Sequence, residues 1–213
     1  LRIISGLKGR IAVHGAGRTD SGVHAYGQVA HFDLNTNLRS FDLCNAINAN
    51  TSQDCKIMSI EKVVNDFESR FDAKKRRYRY QIYLGSSLLY RNQAWLINNV
   101  DIKILKELSG MIIGEHDFLS FSKYRPKQKN TKSIIYESVW EKKDKMLVYE
   151  ISGNRFLHHM VRYLVGTMVQ TSRGQYPKEK LSSLLHEPRK NVQIHRAPAN
   201  GLILLKVEYD EYQ

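Results

Sequence analysis

At 213 residues and 42% hydrophobic content, the chain is long enough for one large domain or two small ones and too apolar for a disordered polymer. Its 33 Lys and Arg against 21 Asp and Glu give a formal charge of +12, which favours a polyanionic partner, most often nucleic acid. Cys44 and Cys55 have neither metal-ligand spacing nor a CxxC pattern and read as free thiols of a cytoplasmic protein. No apolar run approaches the ~18–20 residues that span a bilayer, so no membrane association is expected.

In chain order, Ile3, Ile4 and Leu7 have helical spacing and end at Gly9, as the tail of a helix would. Ile11 to Val13 reads as a short strand, and Val29 to Phe32 as the next apolar stretch. Between them runs His14-Gly15-Ala16-Gly17-Arg18-Thr19-Asp20-Ser21-Gly22-Val23-His24-Ala25, which has almost no side chain suited to a core. Such a glycine-rich polar loop, held by flanking strands, is a place where function sits. It lacks the third glycine of a dinucleotide fingerprint and the GK[ST] of a P-loop. Taken by itself, Asp20 reads first as a turn or cap residue.

Ser40 caps a predicted helix that carries Leu43, Ala46 and Ile47 on one face. Lys56 to Val64 alternates as a strand would. Lys74 to Leu84 alternates more plainly, with Tyr78, Tyr80, Ile82 and Leu84 on one face and Arg77, Arg79, Gln81 and Tyr83 on the other. Basic residues interleaved with aromatic ones suit RNA, whose phosphates meet cations and whose unpaired bases stack on rings. A half-solvated strand with a tyrosine-rich inner face has the same pattern.

Gly85 to Asn99 is irregular and marks the expected boundary between two lobes, 1–95 and 96–213. Asp101 caps a helix with Ile104, Leu105, Leu108, Met111 and Ile112 as its apolar positions. Tyr124 to Lys132 is a basic loop. Ser133 to Trp140 and Lys145 to Ile151 form a predicted hairpin around Lys142-Lys143-Asp144. Phe156 to Thr171 is the strongest helix, with His158, His159 and Arg162 off its apolar stripe. Adjacent histidines on a helix cannot direct both rings to one face, and no HExxH occurs, so no metal site is expected. Pro177 opens a last helix and Gly201 to Tyr209 closes the chain as a strand. The loose alternation of strands, helices and hairpins predicts an α+β fold with a mixed or antiparallel sheet.

Five ordered blocks carry a resemblance. Gly15-Ala16-Gly17-Arg18-Thr19-Asp20-Ser21-Gly22-Val23-His24-Ala25 resembles the signature loop of the tRNA pseudouridine synthase A family. Phe67-x-x-Arg70-Phe71-x-Ala73 with Arg77-Tyr78-Arg79-Tyr80 is similar to its second motif. Gly114-Glu115-His116-Asp117-Phe118-x-x-Phe121, Phe156-x-x-His159-Met160-Val161-Arg162-x-x-Val165-Gly166 and Ala197-Pro198-Ala199-x-Gly201-Leu202 resemble the third, fourth and last. Ser21, where alanine is common, and Thr171-Ser172-Arg173-Gly174, in place of a Val-Gly-x-Gly ending, depart from the pattern.

The resemblance implies the pseudouridine synthase fold, with two ferredoxin-like or RRM-like α/β halves sharing one mixed, mostly antiparallel sheet across a central active-site cleft. It also implies that ~35 residues, a strand and the start of the helix ending near Leu7, precede this sequence in family members. The implied activity isomerises uridine to pseudouridine in the anticodon arm of tRNA, at positions 38, 39 or 40, without cofactor or metal, in a homodimer. Carried onto this chain, Asp20 is the nucleophile, Arg162 its ion-pair partner and Tyr78 the tyrosine over the uracil. Tyr78 would also help remove the C5 proton. Arg18 is a contact to phosphate or to the flipped nucleotide, and Arg76, Arg77 and Arg79 are backbone contacts that offset the cost of flipping. The competing reading is a non-catalytic tRNA-binding or tRNA-folding protein, which the same basic surface would serve.

Overall fold

The computed structural model describes residues 11–123 and 130–210. The helix expected before Gly9 and most of the basic loop from Tyr124 lie outside the described residues. The chain forms two compact units, one from residues up to Gly17 with Val29–Asp72 and the other from Arg18–Gln28 with Ala73 onward.

The first unit holds strands β1 (His14–Gly15) and β3 (Ala30–His31), which pair antiparallel, and helix α1 (Ser40–Asn48). The strand expected at Ile11 to Val13 is displaced by a few residues and very short. His14 stacks on His31 at 5.1 Å, and the Ser69 hydroxyl donates to the His14 carbonyl at 2.8 Å. These two histidines are therefore structural ties of this unit. Arg39, not Ser40, occupies the N-cap of α1 and pairs with Asp42 at 2.7 Å. Residues 56–64 form no strand. Alternation alone does not make a ladder; among the described residues no strand pairs with this segment, and Met58, Val63 and Val64 are exposed.

The second unit contains a seven-stranded mixed sheet, formed by β2 (His24–Ala25), β4 (Lys75–Leu84), β5 (Trp95–Ile97), β6 (Gly114–Asp117), β7 (Lys132–Lys143), β8 (Met146–Gly153) and β9 (Leu202–Glu208). The order is β2-β9-β4-β8-β7-β6, and β5 lies beside the end of β4. Only β2–β9 and β4–β5 are parallel; the other pairings are antiparallel. The hairpin β7–β8 turns at Asp144, whose φ of 54° places it in the left-handed region. The stretch read as irregular before Asn99 thus contains a strand, β5, too short to reveal a period.

Three helices complete this unit: α2 (Ile102–Gly110), α3 (Met160–Ser172) and α4 (Lys178–His186). Asp101 caps α2 by accepting from the backbone of Lys103 at 2.8 Å and Ile104 at 3.3 Å. The apolar face of β4, with Tyr80 and Ile82 fully buried, meets Leu105, Leu108 and Ile112 at α2 and Leu164, Val165, Met168 and Val169 of α3 in one core. Trp140, Leu147, Tyr149 and Ile151 of the hairpin extend it. The mixed α+β architecture matches the fold class read from the sequence.

The predicted long helix begins four residues later than its apolar stripe suggests. Phe156 to His159 form a turn ahead of α3, and His159 at its N-cap has φ 65°. This corrects the premise that His158 and His159 sit on the helix. A left-handed residue reverses the chain locally, so the spacing rule for a helix face does not govern them.

Gly166 lets α3 approach the segment around His195 and Ala197. A Cβ there would fall within contact of the His195 carbonyl oxygen and 2.9 Å from the Ala197 nitrogen, both backbone atoms. Gly166→Ala is expected to destabilise the protein by about 1–3 kcal/mol. Thermal unfolding should register this as a Tm lowered by roughly 2–10 °C. An unchanged Tm would mean that the 195–197 segment is not held in place.

Candidate active site

The loop bearing Asp20 is fixed by the second unit's sheet. Gly22, at φ 81°, closes a turn in which the Val23 N–H donates to the Asp20 carbonyl at 3.0 Å. Strand β2 then pairs with β9, His24 opposite Ile203 and Ala25 opposite Leu204. The Tyr26 N–H adds a bond to the Leu204 carbonyl at 2.8 Å. At Gly27 a side chain would collide with the Leu205 carbonyl oxygen, so glycine is required by close approach. Gly22 thus closes the turn and Gly27 lets the chain lie close against β9.

The next strand brings Tyr78. Leu204 of β9 pairs with both Ala25 and Tyr78, so β9 bridges the Asp20 loop and β4. The β4–β9 register shifts between Arg77 and Tyr78. Such irregularities re-aim a side chain. The Tyr78 ring meets Phe156 edge-on at 5.1 Å. Burial pushes its hydroxyl up to about 12, with Arg76 opposing and the Asp20 charge reinforcing the shift. Tyr80, on the same face, is wholly buried and donates to the Pro198 carbonyl at 2.8 Å, as befits a core residue.

Helix α3 supplies the cation. Arg162 is 8% exposed, and its Nη1 donates to Asp20 Oδ2 at 2.6 Å across 142 residues of sequence. Its Nε donates to the Ala197 carbonyl at 2.8 Å, and the Ala197 N–H donates to the Arg162 carbonyl at 3.0 Å. The guanidinium is thus held at both ends, with its approach to Asp20 set before any ligand arrives. Two histidines complete the cluster: His159 Nε2 lies 3.1 Å from Oδ2, and His158 Nε2 lies 3.5 Å from Oδ1. Oδ2 therefore carries two short contacts and Oδ1 only one longer one. The Asp20 side chain remains 25% exposed. Among the described residues, Oδ2 takes the hydrogen bond from Arg162 and Oδ1 takes none.

Burial pushes the Asp20 pKa up, and the Arg162 hydrogen bond, with the surrounding positive charge, more than offsets it, leaving the group below its ordinary 3.8. His159 is driven down to about 4, chiefly by burial, with Asp20 opposing and His158, Arg196 and Arg162 assisting. It is therefore neutral at pH 7, where Arg162 supplies both a hydrogen bond and a permanent charge that favour the ionised Asp20. The donor atoms of Asp20, His158 and His159 lie within 4.8 Å of one another. The guanidiniums of Arg162 on Asp20 and Arg196 on His159 oppose a cation at that spot.

The remaining arginines stand apart from this cluster. Arg18 is exposed, and no hydrogen bond or ion pair joins its side chain to another described residue. Arg77 pairs with Glu137 at 2.9 Å and Arg79 with Glu150 at 2.6 Å. Arg76 donates to the carbonyls of Ala73 at 2.7 Å and Asn154 at 2.8 Å. Contact with phosphate by Arg77 or Arg79 requires exchange of a carboxylate for it. Arg196, which donates to His159 Nδ1 at 3.1 Å, was not singled out from the sequence. It adjoins the last motif at Ala197, and its position there was the only available signal.

Residues 109–210 match a family model described as tRNA pseudouridine synthase. A protein named tRNA pseudouridine synthase A from Ehrlichia ruminantium (strain Gardel) is 37% identical over 212 residues, covering 95% of this chain and 84% of its own. One of the same name from Borrelia turicatae is 35% identical over 207 residues, covering 95% and 84%. Another from Shewanella piezotolerans is 35% identical over 205 residues, covering 95% and 78%.

Replacing Arg162 by Met removes the hydrogen bond and charge that offset burial. The Asp20 pKa is then expected to rise from below 3.8 toward or above that value. Carboxyl-carbon NMR titration of parent and variant measures this directly. An unmoved pKa would show that another group keeps the carboxylate ionised.

Proposed function

The chain belongs to the tRNA pseudouridine synthase A family, and from that premise we propose that it isomerises uridine to pseudouridine in the anticodon arm of tRNA, at positions 38, 39 or 40, with Asp20 as nucleophile. The observation that carries this reading is the Arg162–Asp20 pair, which anchors Oδ2 and leaves Oδ1 without a hydrogen bond to a described residue. The proposed setting is the cytoplasm, with a homodimer acting on one tRNA. No helix among the described residues is long and apolar enough to cross a membrane.

The reaction needs no net transfer of electrons or groups. The C1′–N1 bond breaks, the uracil turns, and a C1′–C5 bond forms. The C5 proton leaves and a proton is gained at N1, so atoms balance. A carboxylate serves by attacking C1′ or the ring, and both routes use the ionised Asp20 that Arg162 maintains. Tyr78 offers its ring to the base. Its hydroxyl, held protonated by burial, accepts the C5 proton only while passing its own onward, and Asp20 is the nearby charged acceptor. Flipping the uridine costs a few kcal/mol, which cationic contacts offset. Arg18, exposed and two residues from Asp20, is the proposed contact to phosphate or to the flipped nucleotide. Arg76, Arg77 and Arg79 are retained as backbone contacts that must first release their internal partners.

Release of tritium from tRNA labelled at uridine C5 measures this chemistry. Asp20→Asn is expected to abolish release while tRNA binding persists. Tyr78→Phe keeps the ring and should slow release by about 10²–10⁴-fold. Parental turnover by Asp20→Asn would remove Asp20 from the nucleophile's role. Binding without turnover by the parental chain would favour a non-catalytic tRNA-binding protein.

A further inference from the structure

His159 has features that an ordinary supporting histidine does not need. It is a non-glycine residue at φ 65°, a conformation that costs of order 1–3 kcal/mol and persists only where its surroundings enforce it. The left-handed turn directs its ring at Asp20, away from the outer surface of α3. Its side chain is 8% exposed, packed against His158 at 3.8 Å between ring centres and edge-on to Tyr163 at 6.0 Å.

The ring's two nitrogens have different and informative partners. Nδ1 faces Arg196 Nη1 at 3.1 Å. A guanidinium has only donors and keeps its protons at any relevant pH. Nδ1 must therefore accept, which places the ring's single proton on Nε2. Nε2 lies 3.1 Å from Asp20 Oδ2, an oxygen that can only accept when ionised. The hydrogen bond from Arg196 and the close approach of Nε2 to Oδ2 thus agree with one tautomer.

We infer that His159 is a positioning residue that turns its Nε2–H toward Asp20 Oδ2, and that Arg196 sets this by occupying Nδ1. This rests on the reading of Asp20 as nucleophile. The Arg162 hydrogen bond and the adjacent His159 N–H then both favour Oδ2 and oppose rotation of the carboxylate. The fixed tautomer also denies the imidazole a second proton that would compete for Asp20. Groups facing the ring are Asp20, His158, Arg162, Arg196 and Tyr163; of these, only Asp20 favours its protonation.

Two substitutions separate this role from a purely backbone one. Asparagine tolerates the left-handed conformation, but its amide falls short of Asp20. Glutamine places an N–H near the position of Nε2 and tolerates that backbone less well. In single-turnover assays with tRNA, His159→Asn is expected to lose on the order of 100-fold in rate, as a misplaced reacting group does, with tRNA affinity unchanged. His159→Gln should recover most of the rate. A backbone role predicts the reverse order, and that order, or parental rates for both, would overturn the inference.

Imidazole ¹⁵N NMR reads the bond chain without reference to catalysis. The His159 signals, assigned by their loss in His159→Gln, are expected to show Nε2 protonated and Nδ1 bare at pH 7, with no second proton gained down to pH 5. In Arg196→Met the tautomers should mix. A bare Nε2, or protonation near pH 6.5 in the parent, would overturn the inference. If the NMR result holds but Asp20→Asn retains turnover, the hydrogen-bond chain stands and the nucleophile reading fails instead.

Discussion

One ion pair organises the site: Arg162 to Asp20, at 2.6 Å across 142 residues. A carboxylate partly withdrawn from water is costly to keep ionised, and a guanidinium meeting it at hydrogen-bonding distance offsets that cost. Arg162 is buried too, so each charge depends on the other. Everything nearby serves to bring the two ends together. Strand β9 pairs with β2 on one side and β4 on the other, which sets the Asp20 loop beside Tyr78. Helix α3 is fixed to the Ala197 segment through Arg162 itself, and Gly166 permits that approach.

The pair also explains an asymmetry that matters chemically. The Arg162 hydrogen bond engages Oδ2, with His159 Nε2 near the same oxygen, while among the described residues Oδ1 meets only His158 at 3.5 Å. A carboxylate held by one oxygen and open at the other is aimed as well as ionised. Tyr78 is retained in its neutral form by burial, and Tyr80, two residues along, closes the core beneath. Adjacent positions on one strand face thus divide between the site and the core.

Much of this was legible beforehand, for identifiable reasons. Strand β4 runs ten residues with a regular alternation, and Asp101 caps α2 as its side-chain chemistry demands. Both are local effects. Segment 56–64 has the same kind of alternation but pairs with no strand among the described residues, because pairing depends on neighbours that a local pattern does not encode. The start of α3 was misplaced because apolar residues continue through the turn that precedes it. The inversion at His159 is a single backbone angle, invisible to periodicity, and it lies where the histidine pair meets Asp20. Family resemblance pointed to Arg162 as the partner of Asp20; no spacing rule connects residues so far apart. Arg196 escaped because its importance lies in a hydrogen bond to a ring whose orientation was itself unforeseen.

A structure of the protein bound to a tRNA anticodon arm tests the central claim most directly. The expected result is a uridine turned out of the stem with its ring on Tyr78, its C1′ or ring carbon about 3–3.5 Å from Asp20 Oδ1, and Arg162 still on Oδ2. A bound uridine remote from Asp20, or one that reaches it only after Arg162 has withdrawn, would contradict the claim.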